Sequence, residues 1–157
     1  MDEELDYCPT WLYKDLVEDS LPWDEGHVLS FAQFHEKYTL HDSYWIVALY
    51  NPSSSDALTL CVRWDPMWNL GEELEKSSLV ASWPFLFVRI ERVIEAKFPV
   101  GKFLKELAGT IGGSESITLE GKHVVSISDI ADGRLTIEYS GEVRFLAMNS
   151  EKTIIAI

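Results

Sequence analysis

The sequence predicts an α+β fold dominated by antiparallel sheet, with six to eight strands and one or two short helices. Three observations carry this expectation. Apolar residues alternate with period two through YWIVALY (residues 44–50) and ALTLCVRW (57–64), the pattern of paired strands with one buried face. Tight-turn pairs recur through the last third of the chain, at Glu120-Gly121, Asp132-Gly133, Ser140-Gly141 and Asn149-Ser150. Only short stretches carry a helical period.

From the N-terminus, residues 1–27 contain Tyr7, Trp11, Tyr13 and Trp23 together with Pro9 and Pro22. That is too aromatic for a disordered tail. An ordered, irregular arm is expected, with one short strand or turn of helix. SFAQFHEKY (30–38) then reads as a short helix. Ser30 can cap its free amides, and Phe31, Phe34 and Tyr38 fall on one stripe. NPSSSD (51–56) is turn chemistry between the two alternating runs. DPMWNLGEELEKSS is expected as a loop with a helical turn at Leu70–Lys76. WPFLFVRIERV (83–93) reads as a third strand, central at Leu86–Ile90. VGKFLKELAG (100–109) reads as a short helix stopped by Gly109. From residue 115, SITL, KHVVSIS, RLTIEY, EVRFLAM and TIIAI are expected as sequential antiparallel strands of a meander.

A length of 157 residues suits one domain. Its regions are the acidic aromatic arm (1–27), the helix and hairpin region (28–97) and the meander (115–157). The start MDEELD has no apolar h-region, so no secretory signal is expected. The run LVASWPFLFV is too short to span a bilayer. Cys8 and Cys61 are the only cysteines, and are read as reduced thiols in a cytoplasmic protein.

The net charge is −13 and it is unevenly spread. Residues 1–42 hold 11 acids against Lys14 and Lys37, a net of −9. Such a lobe repels nucleic acid and anionic lipid and attracts cationic partners. The plain alternative is solubility alone. DLVEDS (15–20), WDEG (23–26) and GEELEK (71–76) concentrate the carboxylates beside aromatics. The candidate partner-binding residues are therefore Asp15, Glu18, Asp19, Asp24, Glu25, Glu72, Glu73 and Glu75. Aromatics would anchor the contact and acids would steer the encounter.

Motifs for chemistry are sparse. GGSES (112–116) does not complete a G-x-S-x-G elbow. His27, His35, His41 and His123 fall in no metal-ligand spacing, so no metal and no cofactor are expected. GTIGG (109–113) lacks the Lys and Ser/Thr of a phosphate loop. His41, Asp42 and Ser43 invite a catalytic reading, since a histidine and nearby carboxylates could serve a small hydrolase. Their place between a helix and a strand favours a turn, with Asp42 and Ser43 bonding local amides.

The order of features resembles the small β-rich immunity proteins of bacterial contact-dependent inhibition and other polymorphic toxin systems. The likeness covers residues 28–94. It rests on LHDS (Leu40 to Ser43) leading into YWIVALYN, and on the Trp64-Asp65 pair within LTLCVRWDPMW before WPFLFVRIERV. The resemblance implies a non-enzymatic cytoplasmic inhibitor. It would bind a cognate toxin domain and block its active site or an adjacent surface. Many such toxins are nucleases with basic clefts.

Overall fold

The computed structural model describes residues 9–69, 83–98, 110–130 and 133–157. The elements are α1 (Thr10–Val17), a 3-10 turn (Trp23–Glu25), β1 (His27–Val28), α2 (Phe31–Lys37), β2 (Tyr44–Tyr50), β3 (Leu58–Arg63) and a single helical turn α3 (Pro66–Asn69). They continue with β4 (Phe85–Ile90), β5 (Val93–Lys97), β6 (Ile111–Leu119), β7 (Lys122–Asp129), β8 (Arg134–Tyr139), β9 (Val143–Met148) and β10 (Ile154–Ile155). The strands pair antiparallel in two sheets. One has the order β1-β9-β4-β3-β2 with β10 also on β9, and the other has the order β5-β8-β7-β6. The fold is thus α+β and mainly antiparallel. It has ten described strands where six to eight were expected, partly because β1 and β10 are two-residue strands with weak sequence signals. The expected turn at 70–76 and helix at 100–109 lie outside the described residues.

The larger sheet is covered on both faces, so the reading of β3 as half-buried is corrected. On one face Leu58, Leu60, Val62, Val88 and Phe145 pack with Phe31 and Phe34 of α2 and with Val125, Ile127 and Ile137 of the smaller sheet. The Phe34 ring stacks on Phe145 at 4.5 Å and 3°. On the other face Cys61, Phe85, Phe87, Leu146 and Met148 lie beneath Leu12 and Leu16 of α1. Burying each leucine contributes roughly 2 kcal/mol of transfer free energy. The layers are helix, sheet, sheet.

Helix α2 starts where its sequence says. Ser30 Oγ accepts from the Gln33 amide (3.0 Å) and Gln33 Oε1 accepts from the Ser30 amide (2.8 Å), a complete capping box. The arm is more regular than expected, because Leu12 and Leu16 at i and i+4 supply a stripe for the sheet to bury.

The run WPFLFVRIERV does not form one strand. It ends β4 at Ile90, turns through Arg92 at φ 54°, and begins β5 in the smaller sheet. β8 and β9 make the reverse crossing alongside it. Gly141 N–H donates to Glu91 O (3.1 Å), Ser140 N–H to Arg92 O (3.0 Å) and Glu91 N–H to Glu142 O (2.9 Å). The expected meander therefore holds through β6, β7 and β8, and β9 leaves it for the centre of the other sheet. Ser140-Gly141 is a crossing point between sheets and not a hairpin turn. A Cβ at Gly141 would lie 2.5 Å from Glu91 O, which explains the glycine. Among the described residues no helix is long and apolar enough to cross a membrane.

Candidate functional site

The acids of the arm are sorted by the helix that carries them. α1 turns Leu12, Asp15 and Leu16 inward. It leaves Tyr13 and Val17, 48% and 76% exposed, on its outer side. The helix closes in a Schellman arrangement. Ser20 N–H donates to Asp15 O (2.9 Å), Asp19 N–H to Leu16 O (3.4 Å), and Asp19 takes the left-handed conformation at φ 52°. That turn projects Glu18 and Asp19 into solvent, and the following 3-10 turn exposes Asp24 and Glu25.

Asp15 differs from its neighbours. It is 7% exposed, and its carboxylate meets Lys152 Nζ at 2.6 Å and the Ser20 hydroxyl at 3.1 Å. Its charge is directed at the chain's own lysine, away from the surface on which it was expected. Glu72, Glu73 and Glu75 lie outside the described residues.

Two arginines that the sequence reading passed over lie between the exposed acids. Arg89 of β4 is directly opposite Arg144 of β9. Arg89 Nη1 is 3.3 Å from Asp19 Oδ1, and its guanidinium lies 5.9 Å from the Trp23 ring centroid. Arg144 Nη1 donates to Trp23 O (3.2 Å). Asp19 and Trp23 thus flank the arginine pair, and Asp24 and Glu25 follow Trp23. The cue was present in the period of β4, which puts Arg89 on the same face as Phe85 and Phe87.

The His41-Asp42-Ser43 segment is a junction of three elements. Ser43 is fully buried, and its Oγ accepts from the Asp65 amide (3.0 Å). Asp42 sits at φ 65° and its N–H donates to Ile111 O (2.9 Å), while Ile111 N–H donates to Ser43 O (2.7 Å). His41 Nδ1 lies 2.9 Å from Gly112 O of β6 and Nε2 lies 3.3 Å from Asp42 Oδ1, so the ring sits between β6 and its own neighbour. Trp64 Nε1 donates to Thr39 O (3.0 Å) beside them. LHDS and the Trp64-Asp65 pair, far apart in sequence, are therefore hydrogen-bonded to one another in space.

A second histidine makes a contact the sequence did not reveal. His35 Nε2 is 2.7 Å from Ser114 Oγ. The ring lies against Phe31 (6.0 Å) and Phe34 (5.8 Å), and burial pushes its pKa below the ordinary value of 6.5. Ser114 pairs across the sheet with buried Ile127, so its hydroxyl is on the inner face. A cavity of about 260 Å³ is lined by Gly112, Gly113 and Ser114 together with Glu115, Ser126, Ser128 and Arg134. Glu115 pairs with Ser126, which puts these side chains on the outer face, across the sheet from the histidine. The cavity therefore borders Ser114, while the Ser114 hydroxyl is turned to His35 on the other face.

Comparison with protein-family models, with curated proteins and with solved structures finds no match to this chain.

Proposed function

We propose that this protein is an immunity protein, a cytoplasmic inhibitor that binds and neutralises a cognate bacterial toxin domain with a basic surface, most plainly a nuclease. The observation that carries the reading is the surface of the arm. Glu18, Asp19, Asp24 and Glu25 are exposed, and so are Tyr13 and Val17 on the outer side of α1. Apolar side chains set within like charges are suited to anchoring a contact, while the charges draw in a cation-rich partner. The resemblance at LHDS and Trp64-Asp65 supports the same reading. Acting by occlusion, the inhibitor would cover the toxin's basic cleft or a surface beside it and take no chemical part.

The alternative, a small hydrolase using His41 and nearby carboxylates, is less well supported, because the His41 ring faces the Gly112 carbonyl of β6 through Nδ1 and the adjacent Asp42 through Nε2, within a structural junction. The test is capture of the protein encoded beside this one, followed by a binding titration and a toxin-activity assay. Stoichiometric binding with loss of toxin activity is the expected result. Absence of binding to that neighbour would overturn the proposal.

A further inference from the structure

A groove of about 530 Å³ runs between the end of α1 and the β2–β3 turn, with Arg89 along one side. Its volume is in the range of small-molecule sites, roughly 300–1,000 Å³. Arg89 is under-satisfied there. A guanidinium carries five N–H donors. Among the described residues this one has one hydrogen bond, 3.3 Å to Asp19; its buried Nε has no acceptor, and the Glu91 carboxylate is 4.0 Å from it. Directly opposite on β9 is Arg144. Arg144 does not line the groove, but a like charge across the strand pair is unfavourable and adds to the positive potential at Arg89.

The turn on the other side of the groove adds donors. Asn51 Oδ1 already accepts from the Ser53 amide (3.2 Å), which leaves its NH₂ group to donate. Ser55 Oγ already accepts from the Ala57 amide (3.1 Å), which leaves its hydroxyl proton to donate. Among the described residues Asp19 is the only carboxylate that lines the groove, and Val17 and Leu49 give it an apolar wall.

We infer that this groove is a binding site for a small oxyanion, a carboxylate or phosphate monoester carried on a short apolar body, with Arg89 as its principal ligand and Asp19 as a built-in competitor. The groove shares Val17 and Asp19 with the face proposed to meet the toxin, but binding of a small anion needs no second protein and is tested without one.

The test uses the full-length protein with hexanoate, phenyl phosphate, inorganic phosphate and hexylamine as probes. Binding is followed by thermal shift and by the arginine Nε–H resonances. At least one of hexanoate and phenyl phosphate should raise the melting temperature and move the Arg89 signal. The head group that binds identifies the oxyanion, and hexylamine should do nothing. Arg89→Lys keeps the charge and loses the planar fork, so it should weaken binding about tenfold. Asp19→Asn tolerates the left-handed conformation and removes the competitor, so it should tighten binding by about fivefold. That gain is not expected of a merely structural Arg89–Asp19 pair. Failure of both organic anions to bind, equal binding of hexylamine, or affinity unchanged in both variants would overturn the assignment. Variant folding is checked by circular dichroism, and the Asp19→Asn arm decides the matter if Arg89→Lys does not fold.

Discussion

Lys152 Nζ lies 2.6 Å from Asp15 Oδ2 and joins the first helix to the turn between β9 and β10. The two residues are unequally exposed, with the Asp15 side chain at 10% and the Lys152 side chain at 45%. Trp11 reinforces the junction by donating from Nε1 to Ser150 O (2.8 Å), and Lys152 lies 5.5 Å from the Trp11 ring centroid. The inequality sets a direction. Lys152→Ala strands a buried carboxylate, whereas Asp15→Ala releases a lysine that can return to water. Lys152→Ala should therefore cost more than Asp15→Ala, on the order of 2–3 kcal/mol against 1–2 kcal/mol. The double variant should cost less than the sum. Urea denaturation of the three variants checks the order, and strict additivity would show that the pair is uncoupled.

The His41-Asp42-Ser43 junction gives a second test. Ser43→Ala leaves the buried Asp65 amide without its acceptor and should destabilise by about 1–3 kcal/mol. At Asp42, φ is 65°, a conformation that glycine adopts without a Cβ penalty. Asp42→Gly should then be milder than Asp42→Ala, and Asp42→Val the worst of the three. Melting temperatures in that order support a structural turn. A variant that melts normally while a measurable turnover disappears would return His41 to the catalytic reading.

Much of this fold is legible in the sequence because its signals are local. The Ser30 and Gln33 capping box, the period-two runs of β2 and β3, and the Glu120-Gly121 turn, with φ of 50° and 79°, each declare themselves within a few residues. What is not legible is set by distant contacts. Nothing near RIERV says that Ile90 and Val93 belong to different sheets, because that depends on Gly141 passing against Glu91. Asp15 reads as one more surface acid until Lys152 is placed beside it. The acids at Glu18, Asp19, Asp24 and Glu25 are exposed, but the arginine pair beside Asp19 appears only once β4 and β9 are neighbours.

His35 supplies a pH dependence with a definite sign. Burial lowers its pKa in the folded protein below the ordinary value of 6.5. In the window below 6.5 the unfolded chain therefore binds more protons, and stability falls as pH falls. The loss begins as pH drops through about 6.5 and levels off below the folded-state pKa. His35→Gln can keep a hydrogen bond to Ser114 and removes the titration. Its stability between about pH 7 and pH 5 should fall less steeply than that of the parent protein. Denaturation midpoints across that range, with parallel slopes for the two proteins, would refute the assignment to His35.

The acidic face carries the last prediction. A net of −9 over residues 1–42 sets up a field that is screened beyond about 8 Å at physiological salt. Exposed acids at that range act on encounter more than on the bound state. Glu18→Gln, Asp24→Asn and Glu25→Gln together remove three exposed charges and leave the Asp15–Lys152 and Asp19–Arg89 pairs intact. The fold should therefore keep its melting temperature, since such surface changes usually shift stability by less than about 0.5 kcal/mol. Association with the cognate toxin should slow by about tenfold at low salt, with little change in dissociation. At high salt the parent and the variant should converge. Tyr13→Ala and Val17→Ser address the anchors, and their effect should appear in dissociation and persist in salt. Stopped-flow association at two ionic strengths separates the two groups. A parent association rate indifferent to salt, or a triple variant that associates as fast as the parent, would leave solubility as the explanation of the acidic lobe.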